Sequence, residues 1–275
     1  MTSFLKSLLS LFIFKVLDIM RIYSSDDLDF LSGKETGKLK SIYVAEKNKR
    51  VLFAAKNNLL YSSSSIWRGA SGNSFYSNDH HDYGLDFLLN LDNCYRTPLL
   101  NQIVDTYTFN RFESILDCGC GLGHCSAYLR LKLPFNVSIT GFDPCQLAVE
   151  KAIETYKDYN INFLVDEIQP VSFRFKVDTV HLFCMVLMYF TPEQCKSLMN
   201  LAKNTPGTIL AIIEPLPGDK NLYSNVHSLS SFYHDIDRVF SADLFDRLYL
   251  KNFTGSELGN HSGVGVKHRI YRSKI

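Results

Sequence analysis

Between Ser114 and Arg130 the chain reads SILDCGCGLGHCSAYLR, crowding glycines, cysteines and an aspartate into one short stretch. Two chemistries compete for it. Cys118, Cys120 and Cys125, with His124, could be read as thiolate and imidazole ligands. A strand-to-helix turn between them would crowd such a set, however, and no second cysteine pair completes a tetrahedral site at zinc spacing. No metal is expected. The alternative is a backbone cradle: Gly119, Gly121 and Gly123 stand where an apolar run ends and a helical pattern begins. Glycine there permits a tight turn, exposes amide N–H groups and lets a ligand approach with no Cβ in the way. The cysteines then serve as small side chains. Asp143 ends the next apolar run, 24 residues beyond Gly119. That is close to the spacing at which a carboxylate accepts hydrogen bonds from ribose hydroxyls.

These residues need a frame, and from Tyr95 onward strands and helices alternate. TPLLNQIVDTYTF is helical, with Thr97 as N-cap and Pro98 at the first helical position. SILDCG, VSITGFD, INFLVD, KVDTVHLFCM and GTILAIIEP read as buried strands, separated by the helical GHCSAYLRLKL, PCQLAVEKAIETYKD and TPEQCKSLMNLAKN. In the last of these, Thr191 and Gln194 have capping-box spacing. SSFYHDIDRVF reads as a further helix, and RLYLKNF and KHRIYRSKI as two final strands forming an antiparallel edge. Such alternation implies a mostly parallel sheet covered on both faces.

Composition bounds the partners. The chain has 275 residues, 46% of them hydrophobic, and balances 29 Lys and Arg against 28 Asp and Glu. It can bury a sizeable core, and its neutrality offers no basic footprint for a phosphate backbone, so DNA is not an expected partner. Seven cysteines in no paired spacing fit a reducing compartment, and the cytoplasm is the expected location. Residues 1–90 read as a helical N-terminal extension and lid, and residues 91–275 as the main domain. In residues 4–20, Leu5, Leu8, Leu9, Phe12, Val16 and Ile19 share one helical face. Docking on the domain or a partner, lying peripherally in a membrane interface, and acting as a signal or anchor all stay open for this segment.

LDCGCGLGHCSAYL, with its acidic residue just before G-x-G-x-G, resembles motif I of the class I S-adenosylmethionine-dependent methyltransferases, and GFDPCQLAVEKA is similar to their motif II. The resemblance spans residues 95–275. It implies a Rossmann-like α/β fold, a seven-stranded mostly parallel sheet with an antiparallel last strand, and S-adenosylmethionine as cofactor. Carried over residue by residue, Asp117 and the loop Gly119, Cys120, Gly121 and Gly123 hold the methionine end. Asp143, followed by Pro144, takes the ribose; Asp166 or Glu167 meets the adenine amino group. Phe183 and Cys184, with Met185, lie under the sulfonium and methyl.

Methyl transfer from a sulfonium needs alignment of the nucleophile and removal of one proton. Candidate bases are His234 and His227, with His80 and His81 as further options; Tyr189 and Glu214 are placed to hydrogen-bond an acceptor. Trp67, Arg68, Tyr76 and Tyr83 form a lid. The segment IWRGASGNSFYSND is similar to one ahead of motif I in some bacterial sugar-associated methyltransferases, which tilts the acceptor toward a polar small molecule or saccharide unit. LFCMVLMYF lacks the Asn/Asp-Pro-Pro-aromatic run of nucleic-acid N-methyltransferases and the carboxylates of metal-assisted enzymes. The expected activity is methylation of an oxygen or nitrogen of a small molecule. The alternatives are a protein terminus or RNA residue as acceptor, or a non-catalytic scaffold.

Overall fold

The computed structural model describes residues 76, 94–168, 173–190, 192–215, 223–226, 229–232, 234, 236–253 and 266–274. Apart from Tyr76, the N-terminal extension lies outside them, as do the readings made for residues 4–20, Trp67, Arg68, His80, His81 and Tyr83. Among the described residues no helix is long and apolar enough to cross a membrane.

Helix α1 (Thr97–Phe109) leads into β1 (Ser114–Cys118), α2 (His124–Lys132), β2 (Ser138–Asp143), α3 (Gln146–Thr155), β3 (Asn162–Val165) and β4 (Thr179–Cys184). A 3-10 turn (Leu187–Tyr189), α4 (Pro192–Lys203), β5 (Ile209–Pro215), the hairpin β6 (Tyr223–Val226) and β7 (Leu229–Phe232), α5 (Ile236–Val239), β8 (Phe245–Phe253) and β9 (Val266–Ser273) complete the order. Seven strands form one sheet in the order β3-β2-β1-β4-β5-β9-β8, the first five parallel. β9 pairs antiparallel with both β5 and β8. The final strand is therefore antiparallel as expected, but it sits inside the sheet, and β8 takes the edge.

Two further expectations are corrected. Thr97 is the first helical residue of α1 rather than its cap: Arg96 occupies the N-cap position, and the turn is closed by Thr97 N–H donating to Cys94 O at 3.1 Å. SSFYHDIDRVF does not form one helix; its first residues join β7 and only Ile236–Val239 is helical. Serine and phenylalanine are modest helix formers, and ladder pairing with β6 offers their backbone a better arrangement.

The strands are apolar on both sides because both faces are covered. One face packs Leu99, Ile103, Leu129, Leu182 and Ile213 beneath α1 and α2; the other packs Phe183, Leu198, Leu210, Ile212 and Tyr271. In α4, Cys195, Leu198, Met199 and Ala202 fall on one buried stripe at helical spacing. Each fully buried leucine or isoleucine adds roughly 1.5–3 kcal/mol relative to an exposed one. This packing holds the carboxyl ends of β1, β2, β4 and β5 level along one edge.

Candidate functional site

The edge is shaped first by its glycine turn. Gly119, Gly121 and Gly123 all have left-handed backbones, with φ of +75°, +54° and +78°. A Cβ on Gly119 would lie 2.7 Å from a Val186 methyl, one on Gly121 2.9 Å from the Tyr76 hydroxyl, and one on Gly123 2.6 Å from the Phe163 ring. Any side chain would thus be strained in conformation and blocked in space. Gly119 N–H and Cys120 N–H both donate to Phe142 O, at 2.8 and 2.9 Å, tying the turn to β2.

Two buried carboxylates flank it. Strand alternation points Asp117 toward α2, where Ser126 Oγ donates to it at 2.7 Å. Asp143, at the tip of β2, accepts Gly121 N–H and Cys145 N–H, each at 2.9 Å. It therefore braces the turn as well as lining the site. Burial pushes both carboxyls up to about 6, against the pull of these hydrogen bonds and, for Asp117, of the Arg96 guanidinium.

Arg96 was not singled out in the sequence, because a lone arginine before a helix carries no motif. It reaches back from the start of α1 so that its charge acts on Asp117, Cys125 and Cys184, and its Nε donates to Tyr95 Oη at 2.9 Å. Tyr76 is the one lid residue within the described chain. Its phenol lies over Gly121 with Asp143, Cys120 and Tyr189 nearby, burial and these neighbours hold its proton on, and its carbonyl accepts from Lys151 Nζ at 2.9 Å. Tyr189, raised by burial, lies near Asp143 and Tyr95. Three phenols, two carboxylates and one guanidinium thus surround the glycine turn.

The remaining expected site residues are placed as follows. Phe183 is fully buried and packs in the core on the face of β4 opposite Cys184. Cys184 is half-buried on the Asp117 face, beside Cys125 and Arg96. Asp166 is exposed and accepts Glu167 N–H at 2.7 Å. Its own N–H donates to Asp143 O at 3.2 Å, so it stays beside Asp143. Pro144 follows Asp143 directly and is half-buried. His227 lies outside the described residues.

Glu214 and His234 turn away from the glycine loop to hold a single bend. After Cys184 the chain takes a left-handed step at Met185, φ +59°, which aims the next amides at Glu214. That carboxylate accepts Val186 N–H at 3.0 Å, Leu187 N–H at 2.7 Å and Met188 N–H at 3.1 Å. Burial pushes Glu214 up to about 8, despite these donors and Lys267. A His234 ring nitrogen bonds Leu187 O at 2.8 Å, and burial lowers its affinity for a proton. The bend these two hold places Val186 against Gly119 and Tyr189 beside the site.

The cysteines do not converge. Cys118 packs on one face of the sheet and Cys125 on the other, while His124 Nδ1 is engaged with the Tyr156 hydroxyl at 2.6 Å. Among the described residues no cluster of His, Cys, Asp and Glu is arranged to hold a metal ion.

The arrangement fits a nucleoside with a charged amino-acid tail. The Cβ-free turn leaves room for close approach to backbone, Asp143 and Asp117 offer carboxylate acceptors suited to hydroxyl or ammonium donors, and Arg96 offers a guanidinium suited to a carboxylate.

Residues 115–205 match the family described as "Methyltransferase domain". A comparison with curated protein sequences found no match. Among solved structures, the fold is similar to the Burkholderia thailandensis 1,6-didemethyltoxoflavin-N1-methyltransferase (13% identity, TM-score 0.53, covering 78% of this chain and 92% of that one). It is also similar to the magnesium protoporphyrin IX methyltransferase of Synechocystis PCC 6803 (12%, 0.51, 78% and 99%). A third similar fold is the plantazolicin methyltransferase BpumL (14%, 0.50, 82% and 99%).

Proposed function

We propose that this chain, a member of the class I S-adenosylmethionine-dependent methyltransferase superfamily, methylates an oxygen or nitrogen of a small molecule. The observation that carries this reading is the pair Asp117 and Asp143. They stand at neighbouring strand ends around a left-handed glycine turn, with Arg96 acting on Asp117. When bound, S-adenosylmethionine supplies an electrophilic methyl group on a sulfonium. Every other requirement falls on the protein. Asp143 accepts the ribose hydroxyls while its backbone contacts keep the turn in shape. Asp117 and Arg96 take the two charged ends of the amino-acid tail, Arg96 doing so with a guanidinium that stays charged at any working pH. Asp166, beside Asp143, remains the candidate for the adenine amino group. Tyr76 closes over Gly121 and excludes water from the floor formed by Cys184. Glu214 and His234 act as positioning residues for the bend that carries Tyr189.

A tyrosine-lined site suits a polar acceptor able to hydrogen-bond phenols, and a saccharide hydroxyl is one such group. Calorimetry with S-adenosylhomocysteine tests the core of the reading. Saturable binding by the full chain that is lost in Asp143→Ala and Gly121→Val is expected; no binding by the wild-type chain would remove the enzyme assignment.

A further inference from the structure

His268, on the last strand, has no part in the site so far. It is fully buried, and its ring nitrogens lack a well-formed hydrogen bond, with the Tyr95 backbone as the polar group beside them. A poorly paired polar group in the interior is destabilising, a penalty that an apolar side chain of similar volume would not incur. Its surroundings are Phe253, with ring centroids 4.6 Å apart, and the backbone of Tyr95.

Register places the ring at the height of the site. His268 lies opposite Ile213 of β5, and Ile213 lies opposite Cys184 of β4. With strands about 4.8 Å apart, His268 and Cys184 stand at one level, about 10 Å from each other. Both belong to the sheet face that carries Ile213 and Ile270 beneath α1. Tyr95 links them: its phenol interacts with Cys184 and Arg96, and its backbone approaches the His268 ring.

We propose that His268 is the acceptor-side residue of the transfer site, holding the acceptor's hydroxyl or amine beyond Cys184 and taking its proton. This inference rests on the methyltransferase reading above. In the step, the acceptor's lone pair forms the new bond to the methyl carbon, and the carbon–sulfur bond breaks with its electron pair remaining on sulfur. The acceptor's proton passes to a ring nitrogen of His268. A sulfonium, a neutral acceptor and a neutral imidazole become a thioether, a neutral methylated product and an imidazolium, so charge and atoms balance. The ring starts neutral because burial holds its proton affinity down, with the Arg269 and Lys251 charges acting in the same direction and the Tyr95 backbone opposing them.

Diethyl pyrocarbonate modifies an imidazole nitrogen that it can reach, and this requires no acceptor. In the folded full chain, peptide mass spectrometry is expected to find His268 carbethoxylated and protected by saturating S-adenosylhomocysteine. Modification only after unfolding would overturn the proposal. With methyl-labelled S-adenosylmethionine and a small-molecule cell extract as acceptor pool, His268→Gln is expected to lower transfer by about a hundredfold or more while S-adenosylhomocysteine affinity stays within about twofold. Unaltered transfer and an unaltered pH profile in His268→Gln would overturn it too. His268→Asn serves as the second variant if the glutamine melts early. A wild-type chain that binds no S-adenosylhomocysteine would overturn the methyltransferase reading itself, a result recognisable because it precedes any effect at His268.

Discussion

Asp143 joins structure to ligand chemistry, since the carboxylate that would meet a ribose also holds Gly121 and Cys145 in place. Burial sets its proton affinity up to about 6. Ribose hydroxyls donate best to the ionised form, so ligand binding pulls that value down and must weaken as pH falls through it. Calorimetric titration with S-adenosylhomocysteine from pH 8 to pH 5 should show affinity falling below about pH 6, by at most about tenfold per pH unit for each linked carboxyl. Asp143→Asn should bind more weakly and lose its share of that slope. Gly121 answers to a different constraint. At φ +54°, with a Cβ set 2.9 Å from the Tyr76 hydroxyl, Gly121→Ala is expected to cost roughly 1–2 kcal/mol from backbone strain alone, read as a lower melting temperature together with weaker ligand binding.

The bend after β4 shows how an element is aimed by residues that never touch the ligand. Glu214 answers three amide donors, so Glu214→Ala should cost roughly 1–3 kcal/mol by leaving buried N–H groups unpaired; thermal unfolding measures it. The pH dependence has a definite sign. A carboxyl raised from 4.5 to about 8 contributes stability that is complete below pH 4.5 and lost as pH rises through about 8. Melting temperature should therefore decline between pH 5 and pH 8.5, and Glu214→Gln should flatten that decline. At this scale the sequence was legible where pattern and position coincide: the glycine turn, Asp117, Asp143 and the five parallel strands all follow from apolar runs punctuated by glycine and aspartate. Arg96, Phe183 and Glu214 were less legible for physical reasons. Which face a strand residue takes is set by register with its neighbours, so Phe183 reads as a site residue and folds into the core. A carboxylate at a strand tip looks the same whether it awaits a substrate or closes a bend. Arg96 acts across the fold, on residues that are distant in sequence. The mistaken helix at Ser230–Phe240 arose where short polar and aromatic residues leave local preference weak and cross-strand pairing decides.

Across the whole molecule, the last strand fastens the sheet. β9 joins β5 to β8, Tyr271 stacks on Phe240 with ring centroids 4.6 Å apart, and Arg269 meets Asp237 at 2.6 Å. That ion pair, reinforced by the Tyr271 hydroxyl donating to the same carboxylate, pulls Asp237 down to about 2. Its contribution is present above pH 3.8 and lost as pH falls through about 2, so Asp237→Asn should narrow the stability difference between pH 5 and pH 2 in acid titrations followed by circular dichroism. Truncation before Val266 should leave β5 and β8 without their common neighbour and abolish a cooperative unfolding transition. The order β5-β9-β8 also has a meaning in time. During synthesis the ribosome releases β8 before the strand that must separate it from β5, so a nascent chain holds an open slot until β9 emerges. The core must then stay reversible until β9 follows, and early pairing of β8 with β5 would be a trap that the folding chain has to undo. Products that stop before Val266 would expose two unpaired strand borders, on β5 and β8, to chaperones and proteases.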